Sequence, residues 1–232
     1  MPGPLALVGS GEYLPSMLDI ERDLIAGRPP RYVQLPTAAA AEGEQRLDYW
    51  IRLGREQAAR LGVTAVPLRV LTRDDAHDPA YLAEVAGAGL IYLSGGSPAM
   101  LADTLRDTPL WQAIVAAWQG GAALAGCSAG AMALAAEVPD LRHPRRGGRQ
   151  GLNLLPHLRV LPHFDRMLGR VPDLLSRPFL QAADGVSLVG VDEDTALVGG
   201  PHRYTVRGLR SAWLLGQGRR QQLPAGTDVD FP

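Results

Sequence analysis

A serine framed by glycines, Gly126-Cys127-Ser128-Ala129-Gly130, follows the short apolar run Ala122 to Ala125 and precedes a run of small residues with helical character. A G-x-S-x-G pattern at a strand-to-helix turn lifts the central hydroxyl out of a sheet, and the turn is tight enough that its neighbours must be small. The helix N-terminus behind it offers unpaired N–H groups and the positive end of a dipole, which suits a developing oxyanion. A glycine turn carrying a serine by chance has the same pattern. The strand before it and the small residues on both sides favour the nucleophile.

A serine hydroxyl needs a base to take its proton. Of the five histidines, His163 follows directly on the apolar stretch Leu158 to Leu161 and sits at that strand's end. His77, His143 and His202 fall in polar loop contexts, and His157 lies at the far end of the same strand. The base in turn needs a carboxylate to fix its tautomer. Two acids stay open: Glu193, in Val191-Asp192-Glu193-Asp194-Thr195 at a strand end, and Asp140, between the serine and His163. The Asp-Glu-Asp run also reads as a solvated acidic turn. The oxyanion donors expected are the N–H of Ala129 and one from the Gly95-Gly96 turn, that of Gly96. Cys127 stands one residue early in the glycine frame, where its side chain should turn into the core, so a cysteine hydrolase is disfavoured.

The elements that must position these groups alternate. Strands are expected at Leu5 to Val8, Tyr32 to Leu35, Val63 to Val70, Leu90 to Leu93 and Ala122 to Ala125. Helices are expected at Pro15 to Ala26, Glu44 to Leu61 and Asp78 to Ala86, in a segment that holds Met100, Leu101 and Leu105, and at Leu110 to Gln119. Such alternation implies an α/β fold, a mostly parallel sheet with helices on both faces and ligands at the carboxyl ends of its strands. From Glu137 to Pro156 the chain reads as irregular, and its arginines form either a solvated basic loop or an anion-binding lid. A helix over Pro172 to Ala182 is expected next. Short strands at Val186 to Val191, Ala196 to Val198, Tyr204 to Val206 and Ala212 to Leu215 suggest an antiparallel finish to the same sheet. One domain spanning residues 1–232 is the simplest account.

Composition prunes the chemistry. With 46% hydrophobic and 20% charged residues in 232, a sizeable core is expected. The chain contains no lysine, so a P-loop and a Schiff-base lysine are both out. There is no CxxC or HExxH, so no metal and no cofactor are expected. A formal net charge of -1 gives no basic footprint for nucleic acid. No apolar run is long enough to span a membrane, and the N-terminus lacks the basic start of a signal peptide. With a single cysteine, the expected compartment is cytoplasmic.

Four segments, Ser94-Gly95-Gly96, Gly126-Cys127-Ser128-Ala129-Gly130-Ala131, Pro162-His163-Phe164 and Gly190-Val191-Asp192-Glu193-Asp194-Thr195-Ala196, resemble the S51 serine peptidases, the dipeptidase E and cyanophycinase family. The resemblance implies the class I glutamine amidotransferase-like fold, a flavodoxin-like three-layer arrangement. It implies Ser128 as nucleophile, His163 as base and, by comparison with cyanophycinases, Glu193 as acid. Dipeptidase E places an Asp downstream of its serine, which Asp140 matches only loosely. Leu161 stands where cyanophycinases carry Asp, so cyanophycin cleavage is not expected. The expected activity is hydrolysis of amide bonds in small peptides through an acyl-enzyme, with Arg166 and Arg170 as candidate grips on acidic substrate groups. A silent metabolite-binding protein and a non-peptide amidase are the alternatives. A small peptide is the expected partner; the oligomeric state is open, with a homodimer allowed for.

Overall fold

The computed structural model describes residues 1–139, 148–167, 184–216 and 219–232. Asp140, Arg170 and the expected helix at 172–182 lie outside these residues, as does the basic stretch from Leu141 to Gly147.

The first strands are β1 (Leu5–Val8), β2 (Arg31–Leu35), β3 (Thr64–Pro67), β4 (Leu90–Leu93) and β5 (Ala123–Cys127). They lie parallel in the order β1-β5-β4-β2-β3. Between them run α1 (Leu18–Ile25), α2 (Glu44–Leu61), α3 (Pro79–Ala86), α4 (Pro98–Leu105) and α5 (Pro109–Gln119). β1 is buried along its whole length, as a strand covered on both faces must be. Its alternating side chains divide the core. Leu5 and Leu7 join the layer holding Val85, Leu101, Leu105 and Ile114 of α3, α4 and α5. Ala6 and Val8 join the other layer, with Ile20 and Leu24 of α1 and Ala58 of α2.

Helix boundaries follow local chemistry. Asp78, Ser97 and Thr108 each accept a bond from a first-turn N–H of α3, α4 and α5, and each is followed by a proline. Proline at the first helical position loses only a donor that had no partner. Gly62 ends α2 in the left-handed conformation, its N–H reaching Ala58 O and Ala59 O.

Two expectations need correction. The strand expected over Val63 to Val70 ends at Pro67, with Leu68 N–H to Gln34 O at 2.9 Å as its last bond to β2; on this edge strand the proline's missing donor faces away from the sheet. The C-terminal strands do not all finish one sheet. β10 (Thr195–Gly199), β11 (Arg203–Gly208) and β14 (Asp228–Asp230) extend the main sheet antiparallel beyond β1. β8 (Leu158–Pro162), β9 (Ser187–Val191), β12 (Ser211–Gly216) and β13 (Arg219–Pro224) form a second sheet, with β8 and β9 parallel. Val160, Val189 and Ala212 of this sheet share the core layer of Leu124 and Leu134. Between the sheets, the stretch expected to be irregular holds a two-residue ladder of β6 (Glu137–Val138) with β7 (Arg149–Gln150).

Candidate active site

The carboxyl ends of β1, β5, β4 and β2 point the same way, so the turns leaving them converge. Ser128 stands between β5 and the short helix α6 (Ala129–Ala133) with φ 49° and ψ -105°, a conformation costly for any residue with a Cβ. The surroundings enforce it. Ser128 N–H donates to Val8 O at 2.9 Å and its carbonyl accepts Met132 N–H at 3.0 Å. A Cβ on Gly126 would lie 2.6 Å from Gly130 C, and one on Gly130 would lie 2.3 Å from Leu93 O. The glycine frame is therefore what lets α6 sit directly on β5 and β4.

The second sheet delivers His163. β8 and β9 pair in parallel with Pro162 opposite Val191, so the chain leaves both strands at the same edge. His163 and the Asp192-Glu193 turn therefore emerge side by side. Ser128 Oγ lies 2.6 Å from His163 Nε2, and His163 Nδ1 lies 3.5 Å from Glu193 Oε1. The second distance exceeds an ordinary hydrogen bond, although such contacts often tighten only with substrate bound. His163 itself has φ 130°. Two of the residues brought together thus occupy backbone conformations that favour glycine, as strained functional sites often do.

Glu193 is held from several sides. Its N–H donates to Asp165 Oδ1 at 3.1 Å, and Arg166 Nε lies 2.8 Å from its Oε2. Asp165 and Arg166 belong to α7 (Phe164–Met167), two and three residues beyond His163. Arg210 in turn binds Asp165 Oδ2 at 2.8 Å. The turn docks on β1 through Gly9 N–H to Thr195 O at 2.9 Å, and a Cβ on Gly9 would stand 2.2 Å from Asp192 O. Asp192 points elsewhere. Its oxygens accept Trp213 Nε1–H and Ser211 N–H, and burial pushes its carboxyl above the usual range.

Ser128, Ala129, Gly96 and His163 line a cleft of about 1070 Å³. Ser97, Pro98, Met100 and Thr104 of α4 and its cap also line it, as do Met132 and Val138. Glu42, Asp103 and Arg149 supply its charge. Neither Gly96 N–H nor Ala129 N–H is used in the turn, loop and cap hydrogen bonds of the described residues. Arg149 Nη1 is shared with Asp103 at 2.9 Å. No group of three or more His, Cys, Asp or Glu among the described residues is arranged to hold a metal. No described helix is long and apolar enough to cross a membrane.

Cys127 is fully buried, but it does not meet a purely apolar core. Its thiol donates to Glu12, whose other oxygen accepts Gly95 N–H at 2.7 Å. Burial first, then the adjacent carboxylate, push the thiol well above its usual range, so it stays protonated and unreactive. Sequence reasoning passed over Glu12. The signal available was its place, one residue beyond the glycine turn that ends a buried strand.

Comparison with known proteins agrees with this architecture. The model of peptidase family S51 matches residues 5–205. The chain resembles the crystal structure of a peptidase from an acI-B1 Actinobacterium, with 44% identity, a TM-score of 0.91 and coverage of 100% of this chain and 98% of that one. It shares its fold with a Listeria monocytogenes EGD-e protein provisionally assigned as Peptidase E, at 16% identity and a TM-score of 0.67, covering 90% of this chain and 100% of that one. No curated protein matches the chain. With a family match running over most of its length, the chain belongs to peptidase family S51, and is by that membership a serine peptidase.

Proposed function

We propose that this single-domain protein hydrolyses the amide bonds of short peptides through an acyl-enzyme formed on Ser128. The observation that carries the proposal is the 2.6 Å contact between Ser128 Oγ, on its strained turn, and His163 Nε2. Oγ attacks the scissile carbonyl carbon while His163 Nε2 takes its proton. Glu193 faces the other ring nitrogen and stabilises the charged imidazole. The carbonyl oxygen gains charge, and the N–H groups of Gly96 and Ala129 are the donors that receive it. On collapse the C–N bond breaks, and the proton passes from His163 to the leaving amine. Water, activated by the same histidine, then cleaves the ester.

A preference for acidic substrates finds one described support in the cleft wall, the Arg149 guanidinium, which Asp103 already shares. Arg166, the other described candidate, supports Glu193 with its Nε. The test is a dipeptide library that includes matched Asp-X and Asn-X pairs, assayed with wild type and Ser128→Ala. Turnover by wild type and none by the variant is the expected result, with Asp-X favoured if Arg149 grips the acid. Peptide binding with no turnover would replace the proposal with a silent binding protein. Turnover of non-peptide amides alone would replace it with an amidase.

A further inference from the structure

We infer that Glu12 is a positioning residue that sets the oxyanion hole by tying the turn after β4 to the turn that carries the nucleophile. The inference rests on the proposed acyl-enzyme reaction.

The Glu12 carboxylate belongs to a residue only 7% exposed and reaches two segments at once. One oxygen accepts Gly95 N–H at 2.7 Å, and the other accepts the Cys127 thiol. Gly95 immediately precedes Gly96, and Cys127 immediately precedes Ser128, so each bond lies one residue from a proposed participant. A Cβ at position 95 would stand 2.8 Å from Glu12 Oε1. Gly95 is thus small to admit this carboxylate, whereas Gly96 is small because its φ is 135° and a Cβ would meet Ala38 O at 2.3 Å. The backbone around Glu12 is shaped to aim it inward, with φ 96° at Gly11 and 64° at Tyr13. Tyr13 adds a parallel tie. Its hydroxyl bonds Ser94 Oγ and accepts Gln34 Nε2–H at 2.8 Å. Adjacent side chains of the β1 turn therefore hold adjacent residues of the β4 turn.

A buried carboxylate accepting two donors forms charge-assisted bonds, which fix geometry more firmly than neutral ones. Its loss frees the Ser94-Gly95 peptide, whose N–H it holds, and the adjoining Gly95-Gly96 peptide turns with it through the unhindered Gly95, so the Gly96 N–H no longer points where the oxyanion develops. Ground-state binding along α4 does not depend on that N–H, so the loss falls on the chemical step.

The experiment uses a fluorophosphonate probe, which needs no knowledge of the natural substrate. Ser128 Oγ forms a bond to phosphorus, the P–F bond breaks, fluoride leaves and His163 takes the proton. The phosphonyl oxygen occupies the oxyanion position. Glu12→Met removes both acceptors at similar volume, while Glu12→Gln keeps one acceptor for Gly95. Removing an oxyanion donor outright costs about 10²–10³-fold. The maximal labelling rate should fall roughly tenfold to 10²-fold in Glu12→Met. It should fall less in Glu12→Gln, with the half-saturating probe concentration nearly unchanged in both. Equal maximal rates in wild type and Glu12→Met, or a loss confined to half-saturation, overturns the role of Glu12. A rate loss in Glu12→Met matched by an equal loss in Glu12→Gln and a parallel drop in melting temperature also overturns it, since that is the mark of a purely structural group. Wild type that shows no Ser128-dependent labelling overturns the acyl-enzyme reading itself, and the role of Glu12 with it.

Discussion

Arg166 Nε lies closer to Glu193, at 2.8 Å, than the His163 imidazole does, at 3.5 Å. The carboxylate that faces His163 is therefore also half of an ion pair. The Arg166 side chain is 70% exposed, so solvent screens the pair and its contribution to stability is small. Its value lies in orientation, because one carboxylate oxygen is anchored while the other faces the ring. Arg166→Gln should lower kcat by about tenfold or less on acidic and neutral dipeptides alike, since the interaction lost is of the order of 1 kcal/mol. A loss confined to acidic dipeptides would instead make Arg166 a substrate grip.

Glu193→Gln tests the acid directly. Removing the orienting carboxylate from a serine triad lowers kcat by about 10⁴-fold, and a loss approaching that is expected here. Steady-state kinetics of Glu193→Gln beside Asp140→Asn decides between the two acids. A large effect in Asp140→Asn alone would reverse the assignment.

How far these groups were legible in the sequence depended on how local their signals are. The elbow at Gly126 to Gly130 was readable because its glycine frame and serine fall within five consecutive residues. The start of α3 was readable because Asp78-Pro79 carries its own cap, and the same signal at Ser97-Pro98 and Thr108-Pro109 marks the starts of α4 and α5 that the apolar spacing alone left unplaced. The second sheet was not. β8 and β9 pair across a long intervening stretch of chain, and nothing local in Leu158–Pro162 says which sheet it will join. β13 escaped notice because Arg219–Pro224 is a polar, largely exposed edge strand without apolar alternation. Glu12 escaped because its role depends on Gly95 and Cys127, which only the folded sheet brings to it.

Glu21 makes a stability prediction independent of the reaction. It is 1% exposed, and neither of its oxygens has a hydrogen-bond partner of ordinary geometry. Burial pushes its carboxyl up to about 8, with Glu12 adding to the rise and Gln57, Tyr32 and Arg60 tempering it. An unfolded glutamate titrates near ~4.3. The folded state therefore keeps a proton that the unfolded state releases between these values. The stability this proton contributes is full below the unfolded value and declines as pH rises toward 8. Glu21→Gln cannot ionise, so it should gain on wild type across this window. At about 1.4 kcal/mol for each tenfold change in proton affinity, the gain is on the order of a few kcal/mol, or roughly 5 °C or more in melting temperature. Melting temperatures of the two proteins that run parallel from acid pH to above pH 8 would refute it.

Cys127 separates the two nucleophiles the motif contains. Its protonated, buried thiol has no route to substrate. Cys127→Ala should retain a fluorophosphonate-reactive Ser128, with a labelling rate within about tenfold of wild type because only one of the two Glu12 contacts is lost. Abolished labelling with an unchanged melting temperature would show that the thiol does more than hold Glu12.

The central claim is that Ser128 is the nucleophile, and intact-protein mass spectrometry after fluorophosphonate treatment tests it most directly. The account predicts a single phosphonyl adduct on wild type, mapped to Ser128 by peptide digestion, and none on Ser128→Ala or on heat-denatured protein. An adduct that persists in Ser128→Ala, or a well-folded wild type that takes up no label, would contradict it.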